Sequence, residues 1–141
     1  MTVVLDDHLL RDHLVHRNPE LRDRTREQPV ATSNLFYVRL CRAARARGGG
    51  PLVGGWGSRE LALLGRSLVN LPDSVRIEPL RNLVWPIAEL MEQFRLSALG
   101  AEAVAACSAL GATLLLSPGN DAPGVRAGCR ASAIKVEVIG S

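Results

Sequence analysis

What the sequence lacks already removes several classes of protein. Its three cysteines, Cys41, Cys107 and Cys129, are odd in number and far apart, and none stands in a CxxC or finger-type spacing. Neither a disulfide framework nor a zinc site is expected from them, and small buried apolar residues are the simplest reading. The longest apolar stretch, Ala103 to Leu116, is too short to span a bilayer and is interrupted by Ser108 and Gly111. No internal repeat and no low-complexity tail is visible. Lysine occurs once, at Lys135, and no acid occurs between Gln28 and Arg59. The opening MTVVLDDHLL places two acids straight after a short apolar run, unlike a secretory signal, so a cytoplasmic location is expected.

What is present is ordinary globular material. The 141 residues are 47% hydrophobic and 22% charged, which suits one domain over 1–141. A chain of roughly 150 residues buries about 68–70% of its unfolded surface, enough for a real core. The net charge of +3 is uneven. Residues 1–59 hold ten arginines against six acids, and the remainder is slightly acidic. Arginine suits bidentate recognition of phosphate or carboxylate.

Apolar periodicity orders the chain. Thr2 to Leu5 reads as a buried strand delivering Asp6 and Asp7 into a helix start, with Leu9, Leu10 and Leu14 inward and Arg11, Asp12 and His16 on the other side. Asn18-Pro19 breaks that helix, and 17–27 is polar and charged. Pro29 to Thr32 is a weak second strand, followed by a helix capped by Ser33 or Asn34. The stretch 48–57, GGGPLVGGWG, contains six glycines and is expected to be a flexible loop in which helix and strand are unfavourable. Ser58 is the expected cap of the next helix. Val75 to Leu80 alternates as a strand, helices follow over about 82–94 and 98–110, and Thr113 to Leu116 is a strand buried on both faces. A helix over about 122–132 leads to a last strand, Lys135 to Ile139. Trp85, Pro86 and Pro118 read as packing and turn residues. Such alternation predicts an α/β fold, a mostly parallel sheet with helices on both faces. In such sheets ligands bind outside the carboxyl ends of the strands, where strand order reverses. That singles out Asp6 and Asp7 after the first strand and Ser117 to Asp121 after the fourth.

Familiar catalytic signatures are missing. The glycine-rich stretch lacks a GK[ST] ending and does not sit between strand and helix in a GxGxxG frame. His8, His13 and His16 all lie in the first helix, with no GxSxG elbow. His13 and His16 beside Asp12 can hold a metal in principle, and a solvated helix face is the simpler explanation. Arg39, Arg42, Arg45 and Arg47 fall along one acid-free helix, where three guanidiniums can project together. This stripe suits phosphate backbones or an acidic partner, and equally a solvated face whose arginine stems cover apolar neighbours. Trp56 in the glycine-rich loop can anchor a partner. A strand-end Asp6-Asp7, joined by one acid from a helix and another after the fourth strand, is the layout of an oxygen-ligand site for Mg²⁺ or Mn²⁺.

The segments VVLDD, LFYVRLCRAARA, LSALGAEAVAACSALGATLLLS and VEVI together resemble the PIN-domain family, which includes the VapC-type ribonuclease toxins. The resemblance covers essentially the whole chain. It implies a parallel sheet with an acidic pocket at the strand ends, in which about four acids bind Mg²⁺ or Mn²⁺ for RNA hydrolysis. Carried over, Asp6 fits the first acid, with Asp7 behind it. Arg39 falls near the place of the second. The third falls at Gly100, with Glu102 two residues displaced and turned away from the pocket, and the fourth leaves only Asp121 after Ser117-Pro118-Gly119-Asn120. Asp6 and Asp121 are then the metal-ligand candidates, and Arg39, facing the pocket, pairs with Asp6. The expectation is a PIN-like domain without metal-dependent nuclease activity and with no cofactor, binding RNA, a nucleotide or a protein partner through Arg39, Arg42, Arg45, Arg47 and Trp56. The alternative is a divergent endoribonuclease using Asp6, Asp7, Glu102 and Asp121 around Mg²⁺ or Mn²⁺. An antitoxin-like partner and a homodimer fit either reading, and no membrane is involved.

Overall fold

Five short strands, each three or four residues long, carry the architecture. A computed structural model describes residues 1–46 and 50–140. The strands are β1 (Val3–Leu5), β2 (Val30–Thr32), β3 (Val75–Ile77), β4 (Thr113–Leu116) and β5 (Val136–Val138). All neighbours run parallel, in the order β3-β2-β1-β4-β5. The order reverses between β1 and β4, so the crevice beyond their carboxyl ends is the favoured place for a ligand. Every residue of β1, β2 and β4 is buried, as expected of central strands covered on both faces.

Helices supply the two covers. They are α1 (Asp7–Leu14), α2 (Pro19–Thr25), α3 (Asn34–Arg45), α4 (Gly50–Val53), α5 (Ser58–Val69), α6 (Val84–Gln93), α7 (Ala98–Leu110) and α8 (Pro123–Ala131). One core gathers Val3 and Leu5 of β1 with Leu9, Leu10, Leu40, Leu64 and Leu68. On the opposite face Val4 packs with Phe36, Val104, Leu114, Leu116, Val125 and Cys129. Alternating side chains along one strand thus serve both layers. The helix α6 lies outside α7 as an extra layer, with Leu83 and Ile87 against Ala101, Ala105 and Ala106. Enclosed between sheet and α6, α7 is buried from Gly100 through Cys107. A helix apolar all round is what that position requires. No helix among the described residues is long and apolar enough to cross a membrane.

Several local expectations are corrected. Arg11 and Asp12 are buried, not solvent-facing, because they satisfy each other: Arg11 Nε donates to Asp12 Oδ1 at 2.9 Å, and its Nη1 donates to the Leu52 carbonyl. Asn18-Pro19 ends one helix and also begins another, since the Asn18 side chain accepts from the Leu21 amide at 3.2 Å and Pro19 sits at the first helical position. Within the glycine-rich stretch, α4 forms because Leu52 and Val53 have core to enter. Gly48 and Gly49 of that stretch lie outside the described residues. Gly57, not Ser58, caps α5, without a side-chain hydrogen bond. Trp85 is 76% exposed, with Val84 and Met91 also exposed on α6, because α7 takes up the other side of that helix. Cys107 and Cys129 are buried and Cys41 half-buried, all as free thiols. Burial pushes the Cys129 thiol up to about 11.

Candidate functional site

The strand-end acids sit where the topology puts them, but their partners are not acids. Asp6 is fully buried and caps α1, its Oδ1 accepting from the Leu9 amide at 2.9 Å. Its Oδ2 accepts from the Ser117 amide and the Ser117 hydroxyl, both at 2.6 Å, and from Asn120 Nδ2 at 2.8 Å. Ser117 is positioned by the end of β4, and Asn120 by the single 3₁₀ turn Pro118–Asn120 that follows it. A carboxylate has about four lone-pair sites in all. Three donors on Oδ2 therefore saturate that oxygen.

Asp7 is equally buried and differently occupied. Its Oδ1 accepts from the His8 amide at 2.9 Å and from Asn120 Nδ2 at 2.8 Å, and lies 3.2 Å from His8 Nδ1. Oδ2 receives no hydrogen bond, and Arg39 Nε stands 3.4 Å from it. Burial alone would raise this carboxyl's pKa. The hydrogen bond from His8, the Arg39 charge and Asn120 together outweigh it and hold Asp7 below the ordinary carboxylate value. Arg39 does face the site, but it pairs with Asp7, not with Asp6 as the sequence suggested. Asp6 is already enclosed by Leu9, Ser117 and Asn120, and Asp7 offers the open oxygen.

The remaining acids are engaged elsewhere. Glu102 is fully buried and caps α3: its Oε2 accepts from the Asn34 amide at 2.8 Å and Asn34 Nδ2 at 2.7 Å, its Oε1 from the Leu35 amide at 2.8 Å. Its charge thus faces the positive end of a helix dipole. Asp121 forms a two-pronged pair with Arg126, Oδ1 to Nε at 2.7 Å and Oδ2 to Nη2 at 3.1 Å, which lowers its pKa. It does not meet Asp6; its neighbour Asn120 does. At Gly100 an added Cβ would lie 3.0 Å from Val125 Cγ2 and 3.1 Å from Leu96 Cδ2. That position, which the resemblance gives to a third acid, borders a small groove with Asn120 and is closely approached by Val125 and Leu96.

A divalent metal is what the PIN resemblance implies, so the donor set matters. Asp6, Asp7 and His8 each offer one ligand atom, all within 4.8 Å of one another. Mg²⁺ and Mn²⁺ require near-octahedral oxygen coordination from several carboxylates and waters. Here Asp6 Oδ2 is saturated by N–H and O–H donors, Asp6 Oδ1 caps α1, and Asp7 faces a guanidinium. The residues present do not fit a hard dication.

The basic residues divide between two grooves. His8, Arg39 and Arg42 border one of about 350 Å³, closed by Ala43, Ala46, Gly50, Pro51 and Leu52. Arg45 borders a neighbouring apolar groove with Cys41, Gly65 and Val69. Arg47 lies outside the described residues. Trp56 is half-buried, with the Arg17 guanidinium 4.7 Å and that of Arg11 5.4 Å from its ring centroid, and it packs on the core. Ser117 and Asn120, in the segment after the fourth strand that the topology singled out, complete the site with His8, which the sequence did not mark as part of it. Ser117 and Asn120 do not ionise, and only their place after an apolar strand marked them.

No protein-family model matches the chain, and no curated protein matches it in sequence.

Proposed function

We propose that this is a PIN-like domain that has given up metal-dependent RNA hydrolysis and acts by binding RNA or a nucleotide at the carboxyl ends of β1 and β4. The observation that carries the reading is the exchange of partners around Asp6 and Asp7. Ser117, Asn120 and Arg39 stand where a hydrolytic metal centre needs further carboxylates. A buried carboxylate hydrogen-bonded by amide and hydroxyl groups holds structure together, whereas exposed Arg39 and Arg42 beside it supply phosphate-binding charge. Two measurements on the full chain test this. Calorimetric titration with Mn²⁺ is expected to give no binding isotherm. Fluorescence anisotropy with a short single-stranded RNA in EDTA is expected to show binding that R39E/R42E weakens by at least about tenfold, the size of losing one or two charge-assisted contacts. A stoichiometric Mn²⁺ isotherm, or RNA affinity indifferent to R39E/R42E, overturns the proposal.

A second reading, a divergent Mg²⁺- or Mn²⁺-dependent endoribonuclease, draws on one observation, the closeness of Asp6, Asp7 and His8. It requires Ser117 and Asn120 to release Asp6 and Arg39 to release Asp7 when the ion arrives. Cleavage of RNA that appears with Mn²⁺ and vanishes in Asp7→Asn would favour it.

A further inference from the structure

We infer that the groove bordered by His8, Arg39 and Arg42 takes one terminal phosphate, a phosphate monoester carried on the end nucleotide of an RNA, in preference to internal phosphodiesters. The inference rests on the binding function proposed above and names the ligand class of that site.

Four features point to a single compact dianion. The cations converge on one place. Positions 39 and 42 lie about 60° apart around a helix and positions 39 and 45 about 120°, and Arg45 accordingly borders the other groove. A stripe tracking a backbone would keep all three arginines along one channel. The space is also small: about 350 Å³ is near the lower end of small-ligand pockets, room for one nucleotide. Arg39 and His8 are held in place beforehand, since Asp7 Oδ2 lies 3.4 Å from Arg39 Nε and Asp7 Oδ1 lies 3.2 Å from His8 Nδ1. With those atoms engaged, the terminal nitrogens of Arg39 are left to donate to a ligand, and the Nε2 of His8 donates beside them only when the ring carries both protons. Among the described residues no carboxylate lies within ion-pair distance of Arg42, so its full fork is open to phosphate. Finally, Ala43, Pro51 and Leu52 give the groove an apolar side against which a sugar and base can lie.

Charge decides between the two kinds of phosphate. An internal diester carries one negative charge, whereas a monoester carries between one and two near neutral pH and has three acceptor oxygens. Asp7 already offsets one guanidinium, so the diester gains little beyond Arg42. The monoester can engage Arg42 and Arg39 together, and the doubly protonated form of His8 with them. Asp7 acts here as a positioning residue for Arg39 and His8.

The test is anisotropy on the full chain in EDTA with three versions of one internally labelled single-stranded RNA: 5′-phosphorylated, 3′-phosphorylated, and hydroxyl at both ends. One phosphorylated version is expected to bind at least about tenfold more tightly than the hydroxyl version, one extra charge-assisted contact. Arg42→Ala is expected to abolish that advantage, and Arg45→Ala to leave it. Equal affinity for all three RNAs, or an advantage that survives Arg42→Ala, overturns this inference while the RNA-binding reading stands. Failure of every RNA to bind overturns both.

Discussion

Asp6 and Asp7 are neighbours in sequence with different work. Asp6 ties three segments together, the start of α1, the end of β4 and the turn after it, through four hydrogen bonds. Replacing Asp6 by Ala strands the Leu9 amide and the Ser117 amide and hydroxyl in a buried place, while Asn120 keeps Asp7, and a loss of about 3–5 kcal/mol in unfolding free energy is expected by denaturant titration. A change below about 1 kcal/mol would show that the carboxylate is held in reserve for a ligand. Asp7 links the site to pH. Its folded pKa is depressed, so its contribution is complete above the unfolded value near ~3.9 and is lost as pH falls through the lower folded value. The stability gap between the native chain and Asp7→Asn is therefore expected to shrink as acid is added below about pH 4. A gap that widens there would contradict the assignment. His13 adds a second acid-sensitive group: burial, then the charge of His16, holds its pKa below the ordinary histidine value. Its folded form prefers to be neutral, so its contribution is full above about pH 6.5 and declines as pH falls below that. Replacing His13 by Gln is expected to flatten the stability profile in that window.

At the scale of elements, α7 shows what an acid introduced near the strand ends would meet. It is enclosed by the sheet, α6 and α8, and a Cβ added at Gly100 would press on Val125 and Leu96 at 3.0 and 3.1 Å, so those side chains would have to shift to admit it. Gly100→Asp is expected to cost about 2–4 kcal/mol, through overpacking and a buried charge, without creating Mn²⁺ binding. Calorimetry and thermal unfolding read both parts. Gly124 is tighter, since an added Cβ would come within 2.3 Å of the Arg95 carbonyl oxygen. Glu102 shows how far periodicity carries. Its two-residue displacement from Gly100 is read from the sequence as a turn of about 200° around the helix. That it would be buried and cap α3 needed the position of Asn34, which only the fold supplies. Likewise the strands were legible as apolar runs between turn residues, whereas α2 was not. Its sequence, PELRDRT, buries one residue, Leu21, and leaves almost no apolar period to read.

For the whole molecule, the alternation of strand and helix made the parallel sheet readable, and with it the end of the sheet where a site would lie. The chemistry of that site was less readable, because it turns on neutral residues. Asn120 and Ser117 became partners of Asp6 through one 3₁₀ turn, and Asp121, the ionisable neighbour, turned outward to Arg126. Arg45 parted from Arg39 and Arg42 by a rotation of the helix that also separates two grooves. The central claim is that the cleft at the strand ends holds phosphate through cations and does not hold a hard dication. Its most direct test is the fate of a single-stranded RNA incubated with the full chain and Mn²⁺, followed on a denaturing gel beside an EDTA control. The account predicts intact RNA in both, with equal binding in both. Cleavage in Mn²⁺ alone, abolished by Asp7→Asn in a variant that still unfolds cooperatively, would contradict it.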